Sequence, residues 1–265
     1  MKHLNIIILG ICIILSSCKP EKKDQMASDN QVNETDIAVS TDTKKEPLDI
    51  TPISHATMVM RYGEDLIYVD PTGGAEAFSA FEAPEYVLIT DIHGDHYHQE
   101  TLQALDLSAS TVIAPTAVIE KFPEDLKIGT VVAMDNGTTK TFDDFEIEAI
   151  PMYNLREEAL KFHPKGRGNG YVLTIGGERI YISGDTEDIP EMRNLTDIDK
   201  AFVCMNLPYT MTVDKAAEAV LEFKPKTVYP YHYRGTDGLS DVGKFKTLVN
   251  QGDESIEVVQ WDWYQ

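Results

Sequence analysis

The 265-residue sequence predicts an α/β protein with two packed β-sheets flanked by helices, and two observations carry that reading. Short apolar, β-rich segments come first in meander-like succession and then alternate with helical segments, and this whole pattern occurs twice along the chain. Clusters of His and Asp follow directly on several of the strand-like segments, where sheet proteins place functional groups.

The elements follow in order. Ile50 to Ile53, Thr57 to Tyr62 and Leu66 to Val69 read as a three-strand meander ending in Asp70-Pro71. Tyr86 to Ile89 is a continuous apolar run, the mark of a buried strand. A helix is expected from Gln99 to Leu105, a strand at Thr111 to Ala114 and a helix from Thr116 to about Lys121. Val131 to Met134, Thr138 to Phe142 and Phe145 to Ile150 look like paired strands, with Asp135-Asn136-Gly137 as a hairpin turn. Tyr171 to Ile175 and Arg179 to Ile182 form another pair across Gly176-Gly177. Then come a strand at Ala201 to Met205, an amphipathic helix at Val213 to Phe223, a strand at Thr227 to Tyr229, a helix near Val242 to Val249 and a last strand at Ile256 to Gln260.

Composition narrows the function classes. Lys and Arg total 23 against 44 Asp and Glu, a formal charge of −21 that falls almost entirely on the body after residue 47. Such a surface repels polyanions, which argues against nucleic acid and against attraction to anionic head groups. The N-terminus carries Lys2, an apolar run from Ile6 to Leu15, and then Leu15-Ser16-Ser17-Cys18. The run is too short to span a bilayer and reads as a secretory signal. Its end resembles the lipobox of bacterial lipoproteins, which implies cleavage before Cys18, lipidation there, and a protein anchored at the cell envelope without spanning the membrane. Residues 19–47 are polar and charged and are expected to form a disordered tether, leaving 48–265 as one folded domain. Cys12 leaves with the signal, so Cys204 has no partner for a disulfide and is expected as a buried thiol.

The chemistry centres on Thr90-Asp91-Ile92-His93-Gly94-Asp95-His96, directly after the Tyr86 strand. Two imidazoles and two carboxylates in six residues suit zinc, manganese or iron and suit calcium poorly. The alternative is a polar connection in which Asp95 caps the following helix. His163 precedes one strand, while Asp185, in Ser183-Gly184-Asp185-Thr186, and His232, in Pro230-Tyr231-His232-Tyr233, each follow another.

In this order the residues resemble the metallo-β-lactamase-fold hydrolases, whose first motif is usually His-x-His-x-Asp-His. Ser54-His55-Ala56-Thr57 with Asp70-Pro71 is further similar to the branch containing ascorbate-6-phosphate lactonases and N-acylphosphatidylethanolamine phospholipase D. The resemblance implies a four-layer αββα sandwich with the metal site at one edge of the two sheets. It implies two divalent ions, zinc by expectation, with manganese or iron as alternatives. One ion would take Asp91, His93 and His163, the other Asp95, His96 and His232, with Asp185 bridging. Asp91 stands where the family has His, so it is either a ligand or a group that holds a ligand imidazole; Asn154 competes with His163 for the third motif.

The implied reaction is hydrolysis of an ester, lactone or phosphodiester on a small molecule, by hydroxide that the metals make available near neutral pH. Asp95 would orient that hydroxide and act as the catalytic residue. His55, Asn154, Lys165, Arg167, Tyr209, Tyr231 and Arg234 are candidates for the substrate wall, with Lys161 beside them. A phospholipase-D-like phosphodiesterase and a metal-binding envelope lipoprotein without catalysis are the competing readings.

Overall fold

The structure, a computed structural model, describes residues 47–264. The signal segment, Cys18 and the tether up to residue 46 lie outside the described residues. No helix among the described residues is long and apolar enough to cross a membrane.

The first sheet runs in chain order: β1 (Asp49–Ser54), β2 (Thr57–Tyr62), β3 (Asp65–Val69), β4 (Tyr86–Leu88), β5 (Leu107–Ala114) and β6 (Ile128–Ala133). The β1–β3 meander is antiparallel, and every later pairing in this sheet is parallel. The parallel part needs crossovers, which the short helices α1 (Gln99–Ala104) and α2 (Thr116–Ile119) help supply. The second sheet repeats the plan. Antiparallel β7 (Thr139–Thr141), β8 (Phe145–Met152), β9 (Gly168–Ile175) and β10 (Glu178–Ile182) lead into parallel β11 (Lys200–Cys204) and β12 (Thr227–Tyr231). A short hairpin, β13 (Arg234–Gly235) and β14 (Gly238–Leu239), precedes the edge strand β15 (Glu257–Val258). Helices α3 (Pro190–Arg193), α4 (Val213–Phe223) and α5 (Val242–Gly252) complete this half.

Alternation along the strands divides the core. Met58, Met60, Ile67, Val69, Leu88 and Ile113 from the first sheet join Ile147, Leu173, Ile175 and Ile182 of the second in one buried cluster. The opposite face of the first sheet, with Val59, Leu66, Tyr68, Val87 and Val112, packs on Leu102 of α1 and Val118 of α2. Ala216, Val220 and Phe223 of α4 and Phe245 and Val249 of α5 cover the second sheet. Each large apolar side chain buried this way contributes about 1.5–3 kcal/mol. The result is the expected αββα order. Cys204 is buried in β11, and burial pushes its thiol up to about 11.

Differences from expectation concern element ends. β5 begins at Leu107 and β9 at Gly168, while the last strand shrinks to Glu257–Val258. β12 continues to Tyr231 through Pro230, which lies past the last residue pairing with β15, so its missing N–H costs no ladder bond on that side. The α1 N-cap is His98, whose ring accepts from the Thr101 amide, which replaces the suggestion that Asp95 caps this helix.

Candidate metal centre

Every site residue sits at a strand end or in the loop beside one. Asp70 ends β3 in a left-handed conformation (φ 45°), and its carboxylate accepts from the Thr90 amide (2.8 Å) and the Thr90 hydroxyl (2.7 Å). Its Oδ2 also meets His96 Nδ1 at 2.7 Å, so the Nδ1 hydrogen is committed and Nε2 is turned inward. His232 follows β12, also left-handed (φ 46°), and its amide donates to the carbonyl of His55 in the β1–β2 turn. The Asp185 turn follows β10, where the buried Tyr231 hydroxyl accepts from the Gly184 amide. His163 lies between β8 and β9 with Nδ1 3.2 Å from the Tyr209 carbonyl.

These placements bring the inward-facing atoms together. His96 Nε2 lies 3.1 Å from His232 Nε2 and 3.4 Å from Asp185 Oδ2. His232 Nε2 lies 3.3 Å from Asp185 Oδ1 and 3.4 Å from Asp95 Oδ2. His163 Nε2 reaches Asp185 Oδ2 at 3.1 Å. Donors held tetrahedrally at about 2.0–2.1 Å from one ion stand about 3.3 Å apart, so these separations suit a shared cation. Hydrogen bonding points the same way. With Nδ1 of His96 and His163 donating outward, lone pairs on Nε2 face carboxylate lone pairs, and Asp185 Oδ1 accepts no hydrogen bond among the described residues. Only a proton or a metal satisfies such a set. The residues fit a divalent ion at His96, Asp185 and His232, with Asp95 beside them, and His55, Asp95 and His232 also lie within ligating reach of one another.

The electrostatics agree. Burial opposes the ionised Asp185, yet His232, His96 and His163 hold its carboxyl well below the ordinary range. Burial likewise works against charge on Asp95, and His96, His232 and His55 overcome it to lower its carboxyl. For His96, burial disfavours the cation, but Asp70, Asp185 and Asp95 raise it well above the ordinary imidazole value. The centre is a concentration of negative charge prepared for a cation.

A cavity of about 240 Å³ opens on this cluster, lined by His93, Asp95, Phe162, His163, Asp185, Asn206 and Tyr209. A larger groove of about 620 Å³ lies between residues 102–108 and residues 125–127 and contains none of the ligating clusters.

Several expected wall residues have other duties. Asn154 is buried, and its amide donates to the carbonyls of Ala159 and Tyr209, so it braces the loop and does not compete with His163. Tyr231 is fully buried beneath the Asp185 turn. Lys165 donates to Glu191 (2.8 Å) and to the Tyr153 hydroxyl, and Lys161 lies over the Phe162 ring. Arg167 binds Asp91 with two nitrogens, at 3.1 and 2.9 Å. The Arg234 guanidinium lies 4.1 Å over the Tyr264 ring. None of these six lines the cavity; Tyr209 does, and His55 sits behind Asp95 at 3.2 Å.

Asp91 is fully buried and also meets His93 Nδ1 at 2.7 Å. Its oxygens meet Arg167 and His93, and Asp91, His93 and His163, the expected first-ion set, also lie within ligating reach of one another. Positions not anticipated from sequence are Asp70, Thr90, Asn206, Phe162 and Tyr264, whose hydroxyl meets His55 Nδ1 at 2.8 Å. Asp70-Pro71 at a strand end was a usable signal for the first, whereas Tyr264 carried none.

Comparison with known proteins identifies the family. Residues 49–232 match the model of the Beta-lactamase superfamily domain. A metal-dependent hydrolase of Pyrococcus abyssi is 29% identical over 217 residues, spanning 78% of this chain and 93% of its own. A crystal structure from Parabacteroides distasonis, described as that of a metal-dependent hydrolase, is 39% identical with a TM-score of 0.73, over 83% of this chain and 94% of the other. A metallo hydrolase from the archaeon Ignicoccus hospitalis, 18% identical with a TM-score of 0.67 over 82% and 96% of the two chains, shares the fold. By the match over most of its described residues and the likeness to the Parabacteroides protein, the chain belongs to the beta-lactamase superfamily, among its metal-dependent hydrolases.

Proposed function

We propose that this chain hydrolyses an ester, lactone or phosphodiester of a small molecule at the mouth formed by His93, Asp95, His163, Asp185 and Tyr209. The observation that carries the reading is the convergence of His96, His163 and His232 on the carboxylates of Asp185 and Asp95 at the floor of a cavity. When bound, a divalent ion supplies Lewis acidity there, lowering the pKa of water and polarising the bond under attack. The protein's own part is geometric. Asp185, His96 and His232 fix the cluster, while Asp95, with a side chain 42% exposed, faces the cavity as the group that accepts and passes on a proton. His55 holds the second face of Asp95 and is itself held by Tyr264. Phe162 and Tyr209, edge to face at 5.1 Å, give the mouth an apolar wall for part of the substrate.

A second reading, phospholipase-D-like cleavage of a lipid-derived phosphodiester, draws on a specific feature. Leu155, Leu160, Leu207 and Tyr209 are exposed on the two loops joined by Asn154, His163 and Arg156, beside the cavity. Lipidation at Cys18, which would hold the site near the membrane surface of the cell envelope, belongs to the same proposal and rests on the Leu15-Ser16-Ser17-Cys18 sequence.

The test is metal content together with turnover of chromogenic esters, lactones and bis-aryl phosphates, with and without chelator. Turnover that chelator removes and metal restores supports the hydrolase; bound metal with no turnover across the panel supports a metal-binding lipoprotein without catalysis.

A further inference from the structure

Asp91 is the position where the motif departs from the family pattern, and Arg167 explains what the departure does. The guanidinium donates through Nε to Asp91 Oδ1 and through Nη2 to Asp91 Oδ2, a two-point pairing with a fully buried carboxylate. Nη2 also donates to the Phe162 carbonyl, and the Arg167 side chain is only 18% exposed. The backbone holds the pair in place. Asn169 donates its amide to the Thr90 carbonyl, and a Cβ on Gly168 would stand 2.9 Å from that carbonyl and 3.1 Å from Asp91 Oδ1, so the segment after Arg167 is pressed onto the motif loop. An imidazole at position 91 could not make this pairing.

The two halves of the centre therefore differ in charge. Asp95 and Asp185 bring two carboxylates to His96 and His232. On the other side, His93 and His163 lie within ligating reach of Asp91, whose charge is matched by Arg167 and whose Oδ2 is already taken up by His93 Nδ1, while the carboxylate that meets His163 Nε2, at 3.1 Å, is Asp185. A second dication there would sit beside a fixed guanidinium and would draw on Asp185, which the first half already uses.

We infer that the chain holds one divalent ion per molecule, in the Asp95, His96, Asp185 and His232 cluster, and that Arg167 locked on Asp91 takes the place of a second cation. This rests on the metal-centre reading above and replaces the expectation of two ions with Asp91 as a direct ligand. It also gives the Asp91–Arg167 pair a role in setting metal number.

The experiment is titration of demetallated full-length protein with Zn(II), and separately Mn(II), against a chromophoric chelator, with elemental analysis after dialysis. Wild type is expected to take one tight equivalent, with any second bound roughly 100-fold more weakly. Arg167→Met, shown to be folded by circular dichroism and melting, is expected to strengthen the second equivalent by roughly tenfold or more. Two wild-type equivalents of similar affinity would overturn the inference. One equivalent in both proteins would overturn the role of Arg167. If Arg167→Met does not fold, the double variant Asp91→His with Arg167→Gln places the family's His at position 91, removes the guanidinium and is expected to bind two; one equivalent there counts equally against Arg167. No tight equivalent in wild type would instead refute the metal-centre reading itself.

Discussion

Asp70 Oδ2 lies 2.7 Å from His96 Nδ1, with both side chains fully buried and Thr90 bonded to the same carboxylate. The contact fixes the tautomer that leaves His96 Nε2 for the cluster, so Asp70 governs the centre without facing the cavity. Asp70→Asn keeps the shape and accepts the left-handed backbone that Asp70 adopts. Affinity for Zn(II), measured by chelator competition, is expected to fall about 10–100-fold while the protein stays folded. Unchanged affinity would remove Asp70 from the centre.

Asp95 is the most exposed carboxylate of the cluster and the only one of its aspartates besides Asp185 to line the cavity. Asp95→Ala is expected to reduce turnover by about 10²–10⁴-fold with little change in melting temperature. A near-normal rate would rule out its proton-transfer role.

Tyr264 reaches His55 from the far end of the chain, and its hydroxyl also accepts from the Arg234 amide at 3.0 Å. Tyr264→Phe removes both bonds and preserves the ring that packs beneath Arg234. The expected stability loss is about 1 kcal/mol by denaturant unfolding, accompanied by slower turnover at saturating substrate. A rate equal to wild type would confine Tyr264 to fold support.

A pH effect is expected far from the centre, at Asp65. Burial, with Asp144 beside it, raises its carboxyl to about 6 from 3.8. Between those values the folded protein retains a proton that the unfolded chain has lost, so stability falls as pH rises through this window and the deficit persists above it. Asp65→Asn should raise the melting temperature by roughly 2 °C at pH 8 and leave it unchanged below the unfolded value. An equal shift at both pH values would point to packing instead.

Much of the fold was legible because apolar periodicity marks β2, β3, β4 and β10 locally, and Asp70, the Asp91–His96 motif and Asp185 follow on the last three of these strands. Contacts set by distant chain segments were not. Arg167 and Lys165 looked like free cations beside His163, and only the fold shows that Asp91, 76 residues away, and Glu191 claim them. Asn154 offered the right chemistry in the right loop, yet its direction is set by the Tyr209 carbonyl on another segment. Tyr264 is 209 residues from His55 and has no local motif to announce it. The charge on position 91 was readable, but its consequence for metal number depends on a side-chain pairing that spacing does not encode.

The most direct test of the metal centre is an anomalous-scattering map from crystals of the metal-loaded protein, collected at the absorption edge of the bound metal. A peak is expected among His96 Nε2, His232 Nε2, Asp185 and Asp95. Metal-loaded crystals with no peak there, or with the ion bound elsewhere, would contradict the assignment.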